Sequence, residues 1–245
     1  MEWTEGIVRN KKVWAPGLFT LSIEAPEVHP FEPGQFLQLG YDRPDGHLHR
    51  PYSVASPHET TLEFFIVLVE QGQLTPWLWQ LNPGDQIHVS KKPAGGFTLT
   101  KCPEATTIWL IGTGTGLAPY IAMLRRPEIW ERYKKIVLVH GIRHASDQAY
   151  LEEIAGYSEG FGSQFVFVPV VSREQAAGAL FGRITQCLVD GSLEAMAQCA
   201  LTLDSCVMMC GNPDMLDEME RLLGERGLKK HRHSNPGQLV IERYW

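Results

Sequence analysis

Three short stretches of this 245-residue sequence hold residue types that do chemistry. Residues 50–56 read RPYSVAS, so a permanent cation, a phenol and a hydroxyl lie within one short segment. Residues 110–120 read LIGTGTGLAPY and are rich in glycine, and residues 208–215 read MMCGNPDM. An arginine pairs with phosphate, and glycines let a backbone approach one closely. A phosphorylated ligand is therefore one explanation for these stretches.

The glycine-rich stretch joins a predicted buried strand to a predicted helix. Glycines at positions 112, 114 and 116 would let backbone amides approach a phosphate at the helix N-terminus. The GK[ST] ending of a Walker A loop is missing, and Leu117 breaks the GxGxxG dinucleotide fingerprint. A tight turn between strand and helix, with no ligand, explains this loop equally well.

Arginines follow the next predicted strands. Arg143 follows LVHGI and Arg173 follows VVS, while Arg183 lies in the loop FGRIT. An NAD site usually has an acid at the end of its second strand, and ligands bind at the carboxyl ends of parallel strands. Three arginines there suit the 2′-phosphate of NADP, each charge-assisted bond contributing roughly 1.5–3 kcal/mol. Three unrelated solvated arginines are the alternative.

The stretch MMCGNPDM ends a further predicted strand. Asn212 can cap a helix that begins at Pro213, and Cys210 and Gly211 would lie beside the ligand crevice. For Cys210, a core residue at the end of a strand is an equally good interpretation.

A dinucleotide that gives up a hydride needs an acceptor, and a flavin is suited to that chemistry. Arg50 would pair with the flavin diphosphate, Tyr52 would stack on the ring and Ser53 would reach N5. The turn GQLTPWL would add anion-binding amides, with the Thr75 hydroxyl beside them. By itself, RPYS is more simply interpreted as a barrel strand with a surface arginine and a half-buried tyrosine.

Two kinds of element must position these residues. Residues 1–100 contain short β-branched and aromatic runs separated by Pro and Gly, which predicts an antiparallel barrel. One helix interrupts them, with Thr75 as N-cap and Pro76 at its first position. From residue 101 strands and helices alternate, which predicts a parallel sheet with helices on both faces and QLVIERYW as an edge strand.

The composition and the spacing of cysteines and histidines argue against several classes of ligand and site. The net charge is −6, with both predicted domains acidic, which argues against nucleic acid. The five cysteines form no CxxC pair and no iron–sulfur spacing, so we expect thiols. The pairs His47/His49 and His231/His233 have too few further ligands for zinc, and we predict no metal. No run of eighteen apolar residues and no signal sequence is present, which predicts a cytosolic protein.

RPYS, PGQF, the GQLT turn, GTGTGLAPY, VVSRE, GRI, CGNP and a terminal RYW follow one another along the chain. By this ordered set the sequence resembles the ferredoxin–NADP reductase superfamily, and within it the bacterial ferredoxin (flavodoxin)–NADP reductases, over essentially its whole length. The resemblance implies an N-terminal antiparallel Greek-key β-barrel that binds FAD, residues 1–100. It also implies a parallel five-stranded α/β domain that binds NADP, residues 101–245, with a C-terminal tail that returns to the flavin.

The resemblance also assigns roles to residues by motif. The FAD group comprises Arg50, Pro51, Tyr52, Ser53, Phe65, Ile66, Val67, Leu68, Gln73, Leu74, Thr75, Thr115, Tyr244 and Trp245. The NADP group comprises Arg143, Ser172, Arg173, Arg183, Gly211, Asn212 and Asp214. The residues nearest the chemistry would be Ser53, Tyr52 and Cys210. In similar bacterial enzymes the final Trp stacks on the FAD adenine, which is our expectation for Trp245.

The implied reaction is hydride transfer from NADPH to N5 of FAD, then release of single electrons to a diffusing ferredoxin or flavodoxin. The enzyme would work as a monomer. Two groups of basic residues are candidates for docking the acidic carrier: Lys11, Lys12, Lys91, Lys92, Arg125 and Arg126, and separately Lys229, Lys230 and Arg232. The alternatives are a flavin reductase or oxygenase reductase of the same fold, and a flavin- or NADP-binding regulator without turnover.

Overall fold

The β-rich first part of the chain forms six antiparallel strands in the computed structural model, which describes residues 1–59, 61–232 and 234–243. Their order in the sheet is β4-β3-β6-β1-β2-β5. The strands are β1 (Trp3–Ala15), β2 (Leu18–Glu24), β3 (Phe36–Arg43), β4 (Gly46–Ser53), β5 (Leu62–Val67) and β6 (Gln86–Ser90).

The sheet closes on itself. Val54, just after β4, pairs with Phe64 of β5, and Ala55 N donates to the carbonyl oxygen of Glu63 at 2.8 Å. Because β4 and β5 are the first and last strands of the order, this pairing makes the sheet a barrel. Alternate residues such as Leu37 and Leu39 point inward and are fully buried.

Two helices belong to the barrel unit, which comprises Met1–Leu99 and Ala118–Arg126. Helix α1 (Thr75–Gln80) buries Leu78, and helix α2 (Ala118–Leu124) is buried throughout. Just past α2, Arg125 Nη1 donates to Ala55 O at 3.0 Å and to Glu63 Oε2 at 2.9 Å. Arg125 therefore reinforces the closure of the barrel from outside the β-rich segment.

The second unit holds Thr100–Leu117 and the described residues from Pro127 onward. All its strand pairs are parallel, in the order β10-β9-β8-β7-β11-β12. The strands are β7 (Thr107–Thr113), β8 (Lys135–Ile142), β9 (Phe165–Val171), β10 (Leu180–Phe181), β11 (Ser205–Gly211) and β12 (Leu239–Arg243). The helices are α3 (Pro127–Arg132), α4 (Leu151–Phe161), α5 (Ile184–Val189), α6 (Ser192–Ala197) and α7 (Pro213–Glu225).

The strand order reverses direction at β7. From β7 the chain runs outward through β8 and β9, and then returns to the other side of β7 as β11 and β12. In open parallel sheets the crevice at such a switch point is where ligands bind. The loops after β7 and β11 therefore lie at the expected position for a ligand.

The predicted fold is confirmed, with differences in detail. The parallel sheet has six strands rather than five, because the two-residue β10 pairs with Val170 and Val171 of β9. Before α4, Asp147 Oδ2 accepts the His144 backbone N–H at 3.0 Å in a short 3-10 turn, and α4 begins after Tyr150 at φ 60°. No helix among the described residues is long and apolar enough to cross a membrane.

Candidate functional site

The barrel closure brings together two segments that the sequence separates. RPYS ends strand β4 and Phe65–Leu68 runs from the end of β5, and the Val54–Phe64 pair places them side by side. Within the described residues, no ladder continues between β4 and β5 beyond that pair. We call the space between β4 and β5 beyond the Val54–Phe64 pair the gap.

Side chains around this gap differ in exposure. Arg50 is exposed and donates to its neighbour's carbonyl, His49 O, at 2.7 Å. It has no carboxylate partner among the residues that the structure describes. Tyr52 packs against the barrel core, and burial raises the pKa of its phenol, so the hydroxyl stays protonated. Ser53 is buried.

The β5 side of the gap is apolar. Phe65 and Ile66 are buried, while Val67 and Val69 are 41% and 52% exposed. Exposed valines beside an unpaired arginine and a half-buried tyrosine suit a ligand with a flat apolar ring and an anionic tail. The residues present thus fit a flavin dinucleotide.

The N-terminus of helix α1 differs from the prediction. The helix is capped by Leu74 through its backbone, and no side chain caps it, so Thr75 is the first helical residue. The Thr75 hydroxyl instead accepts from Val69 N at 2.9 Å and donates to Val69 O at 3.1 Å. The prediction of Thr75 as an N-cap was wrong because its hydroxyl closes this loop. Gln73 is exposed.

In the parallel unit, the loops after β7 and β11 fit closely against each other. Thr113 Oγ1 accepts the backbone N–H of Asn212 at 2.8 Å. Gly211 has φ 129°, and a Cβ at that position would lie 2.1 Å from Thr113 Oγ1. A Cβ at Gly116 would lie 2.7 Å from Cys210 O. These two glycines are required by packing between the loops, besides any approach to a phosphate.

Asn212 caps α7 as predicted. Its side chain accepts from Met215 N at 3.1 Å, and Pro213 occupies the first turn. Asp214 follows and is exposed. Cys210 is fully buried, as expected for a core residue at a strand end, so a role near the nicotinamide stays a prediction.

Sequence reasoning missed His140 of β8. This side chain is buried, and its Nε2 lies 2.9 Å from Gly114 O in the glycine-rich turn. Since a carbonyl only accepts, Nε2 carries the proton. Burial lowers the pKa of His140 to about 4, so the ring is neutral and holds the turn as a donor. The signal was a histidine within the apolar run KIVLVHGI.

The three predicted NADP arginines share one edge of the sheet. Arg173 N donates to Arg143 O at 3.0 Å, which places these two residues on adjacent strand ends. Arg183 lies two residues beyond Phe181, the residue of β10 that pairs with Val171. All three guanidinium groups are on exposed residues, and none has an acidic partner within the described part of the chain.

An unpaired cationic edge of this kind fits a phosphate group. Ser172 is adjacent, and its hydroxyl donates to Ile142 O at 3.1 Å, so it fixes the turn. The nearby acid Glu174 is occupied, since its Oε1 accepts the Ala145 N–H at 2.7 Å. The residues at this edge therefore fit the 2′-phosphate of NADP.

Further predicted residues lie outside the two groups described above. Thr115 lies in the turn Gly114–Leu117 of the parallel unit and is half-buried. Tyr244 and Trp245 lie outside the described residues, so their predicted roles stay predictions. Five of the basic docking candidates are engaged in ion pairs: Lys91 with Glu27, Lys92 with Glu2, Arg125 with Glu63, Arg126 with Glu59, and Lys230 with Glu220.

Both units are similar to known proteins. Sequence models of two families match the chain, "Oxidoreductase FAD-binding domain" over residues 11–98 and "Oxidoreductase NAD-binding domain" over residues 110–221. A flavodoxin/ferredoxin–NADP reductase of Buchnera aphidicola subsp. Baizongia pistaciae is 39% identical over 246 residues, covering 99% of this chain and 98% of that protein. The Escherichia coli protein of the same name is 38% identical over 247 residues, covering 100% and 99%.

A solved structure is also similar along the whole chain. It is the crystal structure of a ferredoxin NADP+ reductase from Neisseria gonorrhoeae with bound FAD and NADP. Its TM-score is 0.94 and its sequence identity 31%, with 100% of each chain covered.

Proposed function

Because the chain belongs to the flavodoxin/ferredoxin–NADP reductase family, we propose that it is an FAD enzyme that transfers electrons from NADPH to ferredoxin or flavodoxin. The observation that carries this function is the full-length similarity to the gonococcal reductase, which holds FAD and NADP. The gap between β4 and β5 and the three arginines of the parallel unit supply suitable groups for these two ligands.

When bound, FAD supplies the redox chemistry, since it takes a hydride from NADPH and gives up its two electrons singly. The chain supplies binding and orientation. Arg50 would bind the diphosphate, the protonated Tyr52 would hold the ring, and Ser53 would supply a hydroxyl for N5. The loop closed by Thr75 gives the flavin site a fixed wall.

The parallel unit selects the dinucleotide. Arg143, Arg173 and Arg183 bind the 2′-phosphate, which only NADP carries. Neutral His140 holds the turn Gly114–Leu117 in place through its bond to Gly114 O. Asn212 and Gly211 fix the second loop of the crevice through Thr113.

The partner is an acidic one-electron carrier that diffuses to the enzyme, and the enzyme acts as a cytosolic monomer. Since five of the basic candidates are paired with carboxylates, docking relies on the remaining cations and on exchange of those ion pairs. Salt should therefore lower carrier turnover, though less steeply than for a patch of free charges.

Steady-state turnover with three acceptors tests this function. Purified protein loaded with FAD is given NADPH and either a flavodoxin, a ferredoxin or free riboflavin. We expect rapid reduction of a carrier at low micromolar concentration and slow reduction of riboflavin. Faster turnover with riboflavin than with either carrier would instead assign a flavin reductase, and no turnover with any acceptor would leave only a binding protein.

A further inference from the structure

The outer face of the barrel near the β3–β4 hairpin carries a group of histidines outside the proposed cofactor site. Asp42 of β3 pairs directly with His47 of β4. His88 of β6 pairs with Gly40, two residues before Asp42 on β3. Because residues two apart on a strand share a face, all three side chains project from the same face of the sheet.

Gly40 at the centre of this face leaves room for the rings. A Cβ there would lie 2.9 Å from His47 Nε2 and 2.8 Å from the Cβ of His49. The rings of His47 and His88 stack over this space, with centroids 5.2 Å apart and planes 13° apart. The Trp3 ring lies against His47, with a centroid distance of 4.3 Å.

The polar atoms converge. One ligand atom each from Asp42, His47 and His88 lies within 4.8 Å of the other two. Asp42 Oδ1 accepts from His47 Nδ1 at 2.8 Å. The other ring nitrogen of His47, Nε2, is buried and has no hydrogen-bond partner among the described residues.

Two imidazoles and one carboxylate are the ligands that zinc and related borderline cations prefer, and three such ligands leave a fourth position for water. Magnesium and calcium prefer oxygen ligands throughout. We propose that Asp42, His47 and His88 form a binding site for a divalent cation of the zinc class on the outer face of the barrel. The ion would join three strands, β3, β4 and β6.

This site was not predicted from the sequence. The HxH pair of β4 offered two histidines, and the missing ligands come from Asp42 across the hairpin and from His88 some forty residues further along. None of the three is among the residues proposed to hold FAD or NADP. The proposal therefore stands independently of the proposed function.

Calorimetric titration of FAD-loaded protein tests the site. The protein is made without a polyhistidine tag, treated with chelator and titrated with ZnCl2. We expect one Zn2+ per chain in the wild type. In His88→Gln and Asp42→Asn the affinity should fall by more than the ~10- to 100-fold that loss of a supporting partner costs, since a ligand is lost.

His29→Gln is the matched control, because His29 is an exposed histidine of the same unit outside the cluster. It should bind Zn2+ like the wild type. X-ray absorption at the zinc edge should show nitrogen and oxygen ligands with an imidazole signature. Sulfur in the zinc shell, unchanged affinity in His88→Gln, or no binding to the folded wild type would each overturn the proposal.

Flavin content and circular dichroism establish that each variant is folded. Cobalt supplies a second readout, since Co2+ in a tetrahedral site of this kind absorbs at wavelengths beyond the flavin bands. The His88→Gln variant should lose that absorption while keeping its flavin, whereas His29→Gln should keep both. Cobalt absorption that persists in His88→Gln would place the metal elsewhere.

Discussion

The two units assemble their candidate sites in different ways. In the parallel unit the proposed residues lie at or after the carboxyl ends of neighbouring strands, as Arg143 follows β8 and Arg173 follows β9. In the barrel the proposed residues meet only because Val54 pairs with Phe64 and closes the sheet. One site thus depends on where each strand stops, and the other on a pairing between distant segments.

This difference determines which changes each site tolerates. A parallel-sheet site fails when the loop at a strand end cannot adopt its backbone shape. A barrel site fails when the closing segment or its loop is loosened. Substitution of a glycine at a strand end should therefore damage the site of the parallel unit. Substitution of a side chain that closes a loop should instead damage the site of the barrel.

The largest effect is expected for Gly211→Ala in the parallel unit. Its φ of 129° is unfavourable for any other residue, and the new Cβ would meet Thr113 Oγ1 at 2.1 Å. We expect a loss of roughly 3 kcal/mol or more in unfolding free energy, measured by urea denaturation. Gly156→Ala in α4 is the control, because nothing lies within 4 Å of its Cβ position. Equal stability of the two variants would refute the tight fit of the loops.

The next effect concerns the choice of dinucleotide. The double variant Arg143→Ala with Arg173→Ala removes two charge-assisted contacts, so KM for NADPH should rise roughly 100-fold while KM for NADH hardly changes. Steady-state kinetics with a chemical acceptor such as ferricyanide measures both. Arg221→Ala, an exposed arginine paired with Glu225 on α7, is the control. A similar rise for NADH would contradict the assignment of the 2′-phosphate.

His140 should make the stability of the parallel unit depend on pH. Its pKa is lowered to about 4 by burial, against about 6.5 in an unfolded chain, so the unfolded state binds more protons between these values. Stability from this group is present above pH ~6.5 and is lost as the pH falls toward ~4. Between pH 8 and pH 5 the loss should be about 2 kcal/mol.

His140→Gln keeps a donor for Gly114 O but does not titrate. Urea denaturation at the two pH values should show a smaller pH dependence for this variant than for the wild type. Burial is the largest effect on the pKa of His140, while the hydrogen bond to Gly114 O and the charge of Asp147 act against it and raise the pKa. An identical pH dependence in both proteins would mean that His140 is not the titrating group.

The smallest effect is expected in the barrel. Thr75→Val removes the hydroxyl that bonds both backbone groups of Val69, at a cost of about 1 kcal/mol. We expect FAD affinity, measured by fluorescence quenching on titration of apoprotein, to fall several-fold. Thr75→Ser keeps the hydroxyl and should restore affinity. If valine binds FAD as serine does, the loop does not form a wall of the flavin site.

The difference between local signals at strand ends and pairing of distant segments also explains what could be predicted from the sequence. The order of strands and helices, the cap by Asn212 and the arginines at the strand ends are local signals, and the fold and the cap are confirmed. The closure through Val54, the bond from His140 to Gly114 O and the group around Gly40 join residues from different strands. Spacing in one sequence does not reveal such contacts, because strand register is set by the whole sheet.

Thr75 shows that a strong local signal in the sequence can also give a wrong prediction. Threonine before Pro76 is a good N-cap by local preference, yet its hydroxyl bonds Val69, six residues earlier. A tertiary contact overrode the local preference, and it did so in the barrel, where long-range closure determines the site. The sequence predicted the residue as important and missed how it is used.

The most direct test of the whole account is an anaerobic titration of the purified protein followed by absorption. We predict a yellow protein whose flavin bands bleach on addition of one equivalent of NADPH and hardly change with the same amount of NADH. A colourless protein that takes up no FAD, or equal bleaching by both dinucleotides, would contradict it.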